Sequence, residues 1–148
     1  YHIYEKWGAR LAHKDGQDGV NFAVWAPNAR RVSVIGDFND WQKNKNFLKS
    51  RESSGVWEGF IPRVKKGQSY KFFIESNNSG FSAEKADPCA LYSEIPPRSA
   101  SIVWELDYEW RDQEWMENER QEKNSLNAPI SVYEVHLGSW KRVPDLKR

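Results

Sequence analysis

The sequence has little of several features that would decide a function at once. Its 22 basic residues are balanced by 21 acidic ones, a formal net charge of +1, so there is no basic excess of the kind that binds nucleic acid. No apolar run approaches the ~20 residues of a membrane span. A Gly-rich phosphate loop, a CxxC pair and a GxSxG motif are all absent, and no segment repeats. We therefore expect a soluble globular protein without a nucleic-acid or membrane partner, a cofactor or a metal.

Cysteine is also scarce, and the ends of the sequence are unusual. Cys89 is the only cysteine, so no internal disulfide can form. It lies beside Pro88, and we expect a buried structural residue rather than a catalytic thiol. The first residues, YHIYEKWG, lack the charged-then-apolar layout of a secretory signal. Because the sequence starts on Tyr1 rather than Met, we expect a piece of a longer protein. The single cysteine fits a cytoplasmic location.

Aromatic residues, in contrast, are abundant. They make up 14% of the 148 residues and include eight tryptophans. The length corresponds to about one domain, possibly with a tail. A core of this size needs fewer aromatic side chains, so we expect some of them on the surface or between domains.

Short apolar segments separated by turn residues indicate an all-β, immunoglobulin-like sandwich over residues 1–106. The clearest strands are expected at residues 19–27, 30–35, 56–61 and 68–76, and weaker ones at 8–14, 81–86 and 101–104. In the strand of residues 68–76, Tyr70 and Phe72 alternate with Lys71 and Phe73. Since neighbouring strand residues point to opposite faces, we expect Tyr70 and Phe72 in the core and Lys71 on the other face.

The segment RRVSVIGDFNDW, residues 30–41, starts as a strand and ends in a polar turn. Val32 and Val34 are expected on its core face. Asn39 and Asp40 suit a turn, because their side chains hydrogen-bond the local backbone and tolerate left-handed geometry. Two interpretations are open for Trp41, which follows the turn. It folds back to cap the core, or it offers its flat face to a ligand such as a sugar ring.

The composition changes at about residue 107. Residues 107–128 are highly charged and predict a connector that is partly helical and mostly solvated. Within the last segment, residues 129–148, the stretch 130–137 is a nearly continuous apolar run, typical of a strand buried in a parallel sheet. We expect it to be the first strand of a second domain.

Four segments together resemble bacterial-type 1,4-α-glucan (glycogen) branching enzymes. They are VNFAVWAPNARRVSVIGDFNDW, SGVWEGFIP, GQSYKFFIE and APISVYEVHLGSWKR. The resemblance extends from about Gly8 to Arg142. It implies a carbohydrate-binding module of family 48 at residues 1–106, and at residues 129–148 the truncated start of a (β/α)₈ barrel of glycoside hydrolase family 13.

The resemblance also implies the chemistry of the longer enzyme. Its barrel cleaves an α-1,4-glucan through a covalent glycosyl-enzyme, using a carboxylate and a carboxylic acid about 5–5.5 Å apart, and passes the fragment to a 6-hydroxyl. The catalytic carboxylates come from later barrel strands. We therefore expect no catalytic residue in this sequence. Glu134 and His136, which would share one face of the last strand, are expected to be structural.

The related glycogen-binding modules of a eukaryotic protein kinase imply which residues touch sugar. Their key tryptophan matches Trp41 and their lysine matches Lys71. The nearest candidate for their second tryptophan is Phe81. Lys71 and Asn39 would donate hydrogen bonds to sugar hydroxyls. The implied partners are an α-1,4-glucan such as glycogen and the catalytic barrel of the same chain, on which this module could pack instead of binding glucan.

Other functions stay open beside the accessory domain of a branching enzyme. One is a non-catalytic module that targets glycogen or starch, and another is the same domain of a debranching or trehalose-releasing enzyme. A third is an immunoglobulin-like interaction domain whose aromatic residues are interface anchors. The segment ISVYEVHLGSW favours the branching enzyme, because a pure binding module has no need of a barrel strand.

Overall fold

The computed structural model describes residues 6–78, 80–118, 126–127, 129–136 and 138. The chain divides into two compact units, residues 1–107 and residues 108–148. In the described part of the first unit, two antiparallel sheets face each other, which confirms the predicted all-β sandwich.

Nine strands form the two sheets among the described residues. They are β1 (Gly8–Lys14), β2 (Gln17–Trp25), β3 (Ala29–Gly36), β4 (Lys49–Ser50), β5 (Val56–Pro62), β6 (Ser69–Ser76), β7 (Ser82–Lys85), β8 (Tyr92–Ser93) and β9 (Ser101–Ile102). The first sheet has the order β1-β2-β5-β4, and the second has the order β3-β6-β9-β8. Strand β7 also pairs with β6. Because β3 occupies one edge of β6, β7 and β9 share the other edge, with β9 at the start of β6 and β7 towards its end.

The core lies between the two sheets, where alternation predicted it. Phe22 of β2 and Tyr70 and Phe72 of β6 are almost fully buried. The ring centroids of Phe22 and Tyr70 are 5.1 Å apart in an edge-to-face arrangement. Such aromatic pairs contribute about 0.5–1.5 kcal/mol beyond the area they bury. This contact therefore joins the first sheet to the second.

Strand β3 is buried on both faces towards its end, which alternation alone did not predict. Ser33 and Ile35 face away from the core, yet each is only 1% exposed. The chain after the Trp41 turn returns along the free edge of β3, where the Leu48 N–H donates to the Val32 carbonyl oxygen at 2.9 Å. The Ser33 hydroxyl donates to the Lys43 carbonyl oxygen at 2.7 Å. This returning segment covers a sheet edge that would otherwise be open to another chain.

A buried carboxyl group ties β6 to the segment before β8. The Tyr70 hydroxyl donates to Asp87 Oδ2 at 2.5 Å, and the Cys89 N–H donates to Asp87 Oδ1 at 2.8 Å. Burial raises the pKa of Asp87. Burial and the nearby Asp87 carboxylate also raise the pKa of the Cys89 thiol, which is half-buried. Because the thiolate is the reactive form, the raised pKa lowers the reactivity of Cys89, which is only half-buried rather than buried as expected.

Several of the abundant aromatic side chains lie at the surface, as expected. Trp25, on the outer face of β2, is 57% exposed, and its indole N–H donates to the Ser54 carbonyl oxygen at 3.3 Å. Trp57, which packs against the core, donates to the Ala26 carbonyl oxygen at 3.0 Å. Both indoles therefore help to hold the loops at this end of the first sheet.

In the second unit, the helix α1 (Gln113–Asn118) lies in the predicted connector, and residues 119–125 of that connector lie outside the described residues. The predicted strand at residues 130–137 is not formed. Residues 129–136 are in no strand, and Leu137 is not among the described residues. A strand pairs its backbone N–H and C=O groups with a neighbouring strand, and residues 129–136 belong to neither of the two described sheets. Glu134 and His136 are both exposed and do not share a strand face.

We find no helix in the described part of the chain that is long and apolar enough to span a membrane.

Candidate functional site

Trp41 lies outside the core at the end of β3. Its side chain is 37% exposed. Asp40 and Trp41 have φ angles of 53° and 58°, in the left-handed region that the Asn-Asp turn predicted. The Trp41 N–H donates to the Gly36 carbonyl oxygen at 3.0 Å, which closes the turn. Of the two interpretations of this residue, the structure supports the exposed ring rather than the core cap.

The indole of Trp41 is held by a carboxylate that the sequence reasoning overlooked. Asp37 Oδ1 accepts a hydrogen bond from Trp41 Nε1 at 3.2 Å, and Asp37 Oδ2 accepts one from the backbone N–H of Ser69 at 2.7 Å. One side chain thus connects the ring to the start of β6. The spacing of four residues between Asp37 and Trp41 could have indicated this pair. An aromatic ring fixed in this way loses little conformational freedom when a ligand stacks on it.

Asn39 has a structural role instead of the predicted sugar contact. It is only 7% exposed. Its Oδ1 accepts from the Gly36 N–H at 3.0 Å, and its Nδ2 donates to the Val34 carbonyl oxygen at 2.9 Å and to Asn46 Oδ1 at 2.8 Å. An amide nitrogen has two hydrogens, and both are used inside the protein. Asn39 therefore shapes the turn that presents Trp41.

Lys71 lies at the same end of the second sheet as Trp41. It is directly opposite Ile35 in the β3–β6 ladder, one position from the Gly36–Tyr70 pair. As predicted, its side chain is on the face opposite the core. Its Nζ donates to the Ser99 hydroxyl at 3.0 Å. Since an ammonium group has three donors, hydrogens remain for a ligand. Ser99, just before β9, had no signal in the sequence pattern.

Phe81 is not part of the same site as Trp41 and Lys71. Its carbonyl oxygen accepts from the N–H of Ser76, at the far end of β6. Ser76 is six residues beyond Tyr70, so at about 3.3 Å per residue it lies roughly 20 Å away along the strand. Phe81 is 61% exposed and lines a shallow cavity of about 190 Å³. The long loop after β6 thus carries the ring away from the predicted position.

A packed cluster separates the two ends of this face. Lys43 Nζ lies 4.9 Å from the centroid of the Phe73 ring and 2.8 Å from Glu84 Oε1. Phe73 is directly opposite Glu84 in the β6–β7 ladder. Because this cluster occupies the middle of β6, Phe81 and Lys71 do not line one continuous surface.

The end of the second sheet that carries Trp41 and Lys71 has the chemistry of a binding surface. It offers the exposed ring of Trp41 and, at the same end of the second sheet, the ammonium donor of Lys71. An aromatic face stacks on the apolar C–H face of a sugar, and the ammonium group donates to its hydroxyls. Among the described residues, no group of three or more His, Cys, Asp or Glu side chains is placed to hold a metal ion.

Comparison with protein families identifies the first unit. Residues 6–90 match the model of carbohydrate-binding module 48, described as the isoamylase N-terminal domain. The chain belongs to this family. The residues matched include Trp41 and Lys71.

Beyond the module, the chain is similar to curated 1,4-α-glucan branching enzymes. It is 48% identical over 141 residues to the enzyme of Albidiferax ferrireducens, covering 95% of this chain and 22% of that protein. It is 54% identical over 141 residues to the enzyme of Thermosynechococcus vestitus, covering 95% of this chain and 18% of that protein. The chain therefore spans about a fifth of the length of these relatives.

Solved structures contain the same fold. The maltotriose complex of PulA from Klebsiella pneumoniae matches with a TM-score of 0.54 and 25% identity, over 69% of this chain and 11% of that one. The match to PulA agrees with the predicted sandwich.

Proposed function

We propose that this chain is the accessory glucan-binding region of a 1,4-α-glucan branching enzyme. The full enzyme would cleave α-1,4-glucan chains and transfer them to a 6-hydroxyl, forming α-1,6 branches. Support comes from the branching enzymes, which match over 95% of the chain, whereas the family model ends at residue 90. The longer match favours a branching enzyme over a separate targeting module or a debranching relative.

The same proposal covers the organisation of the chain and its location. Residues 1–106 would form the module, residues 107–128 a connector, and residues 129–148 the start of the catalytic barrel. The catalytic carboxylates would lie in the barrel, so this region would bind glucan and guide it without cleaving it. A cytoplasmic location fits a sequence whose single cysteine has no disulfide partner.

One observation carries the binding role: Trp41 is exposed, and its indole is fixed by Asp37 beside the strand that carries Lys71. Stacking on this ring would provide affinity, because it removes apolar surface of both partners from water. Lys71 would orient the sugar through its remaining donors. Phe81, at the other end of β6, is no part of this binding surface.

Calorimetric titration with maltoheptaose tests the proposal. We expect saturable binding by the chain, and a loss of about tenfold or more in affinity for Trp41→Ala, which corresponds to about 1.4 kcal/mol. Trp25→Ala is the matched control, because Trp25 is also an exposed tryptophan but lies in the first sheet. An unchanged affinity for Trp41→Ala would refute the site. Absence of binding by the folded chain would leave the module as a structural brace for the barrel.

A further inference from the structure

An exposed pair of aromatic rings lies on the second sheet, and the sequence analysis proposed neither ring as a binding residue. Tyr92 of β8 is 50% exposed and Trp104, just beyond β9, is 36% exposed. Their ring centroids are 5.2 Å apart, with a tilt of 41° between the ring planes. The proposed function uses neither residue.

Strand pairing places this pair on the same face and at the same end as Lys71. Ser101 and Val103 are fully buried, so Ile102 between them points to the outer face. Ile102 is directly opposite both Tyr92 and Ser69. Directly opposed residues share a face, and Ser69 shares its face with Lys71, two positions further along β6.

The same pairing gives the distance between Tyr92 and Ser69, the residue that Asp37 connects to Trp41. Tyr92 is two strands away from Ser69, which corresponds to roughly 10 Å between their backbones. The N–H of Ser69 is bound by the carboxylate of Asp37, which also binds the indole of Trp41. The two aromatic positions are therefore separated by a span that an oligosaccharide of several residues can bridge.

The second pair is also held rigidly. Lys66 Nζ lies 4.8 Å from the centroid of the Trp104 ring. The same ammonium group is bound by Asp107 at 2.9 Å and by Glu105 at 3.3 Å. A cation fixed over one ring, which itself packs against Tyr92, holds both rings before any ligand arrives. Binding to a preorganised surface costs less ordering entropy.

We infer that Tyr92, supported by Trp104, is a second contact for the same α-1,4-glucan chain that stacks on Trp41. This inference rests on the proposed function and assigns the second aromatic platform to Tyr92 rather than to Phe81. The ligand would run across the starts of β6 and β9, past the hydrogen-bonding groups of Lys71 and Ser99.

The surroundings of the rings favour a sugar chain over a protein partner. Lys66, Lys71 and Ser99 are distributed among the aromatic residues, whereas the centre of a protein interface is depleted in charged side chains. A glucan presents both apolar ring faces and hydroxyl groups along its length, and so matches a surface in which aromatic and polar groups alternate.

Affinity as a function of glucan length tests the inference in the whole chain. Maltotriose is short enough to occupy Trp41 alone, whereas maltoheptaose can also reach Tyr92. For Tyr92→Leu, which keeps an apolar side chain but removes the flat ring, we expect maltoheptaose affinity to fall about fivefold. We expect its maltotriose affinity to remain unchanged. Trp104→Leu should act in the same direction by releasing Tyr92.

Phe81→Leu is the matched control, an exposed ring on the same sheet but at the far end of β6. It should change neither affinity, and thermal unfolding of each variant would verify that the fold is intact. Loss of affinity in Phe81→Leu with no effect of Tyr92→Leu would overturn the inference and restore the original prediction. A loss of glucan affinity in Trp41→Ala, with no effect of Tyr92→Leu, would overturn this inference and leave the proposed function standing. If Trp41→Ala had no effect while Tyr92→Leu lowered maltoheptaose affinity, the proposed binding site at Trp41 would be refuted. The inference that one glucan chain contacts both Trp41 and Tyr92 would be refuted with it.

Discussion

At the scale of single residues, the structure distinguishes side chains that present a surface from side chains that build it. Trp41 and Lys71 are available to a ligand, whereas Asn39, in the same turn, uses its whole amide group within the fold. Asp37 is itself exposed, and its carboxylate fixes both the Trp41 ring and the start of β6. Residue type and position in a motif did not separate these roles.

The buried carboxyl group of Asp87 should make stability depend on pH. Burial raises its pKa in the folded state above the ordinary value of 3.8, despite its hydrogen bond from Tyr70 and the nearby charge of Arg10. The folded state then binds the proton more tightly than the unfolded state. The stabilising contribution of Asp87 is therefore full below about pH 4 and is lost as the pH rises through the raised folded pKa.

The variant Asp87→Asn removes this titration. We expect the free energy of unfolding of the original chain, measured relative to the variant, to decrease as the pH is raised from about 4 to about 7. Urea unfolding at several pH values within that range would measure the difference, in which the contributions of the other titrating groups cancel. A relative stability that increased with pH would mean that the folded pKa is lowered, contrary to the structure.

At the scale of strands and turns, the junction between β3 and the Trp41 turn depends on a close approach of two backbones. Gly36 has a φ of 176°, an extended conformation open to any residue, so space rather than backbone geometry requires glycine. A Cβ atom at this position would lie 2.3 Å from the carbonyl oxygen of Ser69. Strands β3 and β6 could not keep their spacing around it.

We expect Gly36→Ala to lower the free energy of unfolding by about 2–3 kcal/mol, because the backbone must move to accommodate the methyl group. The displaced turn should also weaken maltoheptaose binding. Gly59→Ala is the control within β5. Its Cβ would meet the flexible end of Leu48 at 3.1 Å, so we expect a cost below about 1 kcal/mol. Equal costs for the two substitutions, measured by urea unfolding, would contradict this account.

Some strands and loops could be predicted from the sequence and others could not, for physical reasons. Alternation located β6 and its core face correctly, since the pattern of Tyr70 and Phe72 is local and strong. The burial of Ser33 was not predictable, because it depends on a loop that returns along β3. The separation of Phe81 from Lys71 depends on the path of the loop after β6, and the position of Tyr92 depends on the pairing of two-residue strands. These features arise from long-range contacts that local patterns do not contain.

At the scale of the whole molecule, the two units differ in how far their apolar side chains are exposed. The first unit buries them between two sheets. In the second, Ile130 and Val132 are 88% and 86% exposed. Their sequence was typical of a buried strand, but a buried strand exists only where other strands cover it. The composition of a segment therefore predicted the environment it requires rather than the one it has in this chain.

These exposed residues should make the 148-residue chain associate with itself, because an apolar, strand-forming segment pairs readily with another copy. We expect sedimentation velocity to show a concentration-dependent increase in average mass. Replacing Val132 by Lys should abolish the increase without altering thermal unfolding of the sandwich. The control is Leu11→Lys in the edge strand β1, where the side chain is 37% exposed. Monomeric behaviour of the unaltered chain at all concentrations would contradict the prediction.

Three tryptophans of the first unit donate their indole N–H to two kinds of partner. Trp25 and Trp57 donate to carbonyl oxygens in separate loops, and Trp41 donates to the carboxylate of Asp37. Because a charged acceptor deshields the proton more than a neutral one, the Trp41 signal should be separated from the other two in a proton–nitrogen correlation spectrum. The indole N–H signal of Trp41 can thus report ligand binding at this ring without an attached label.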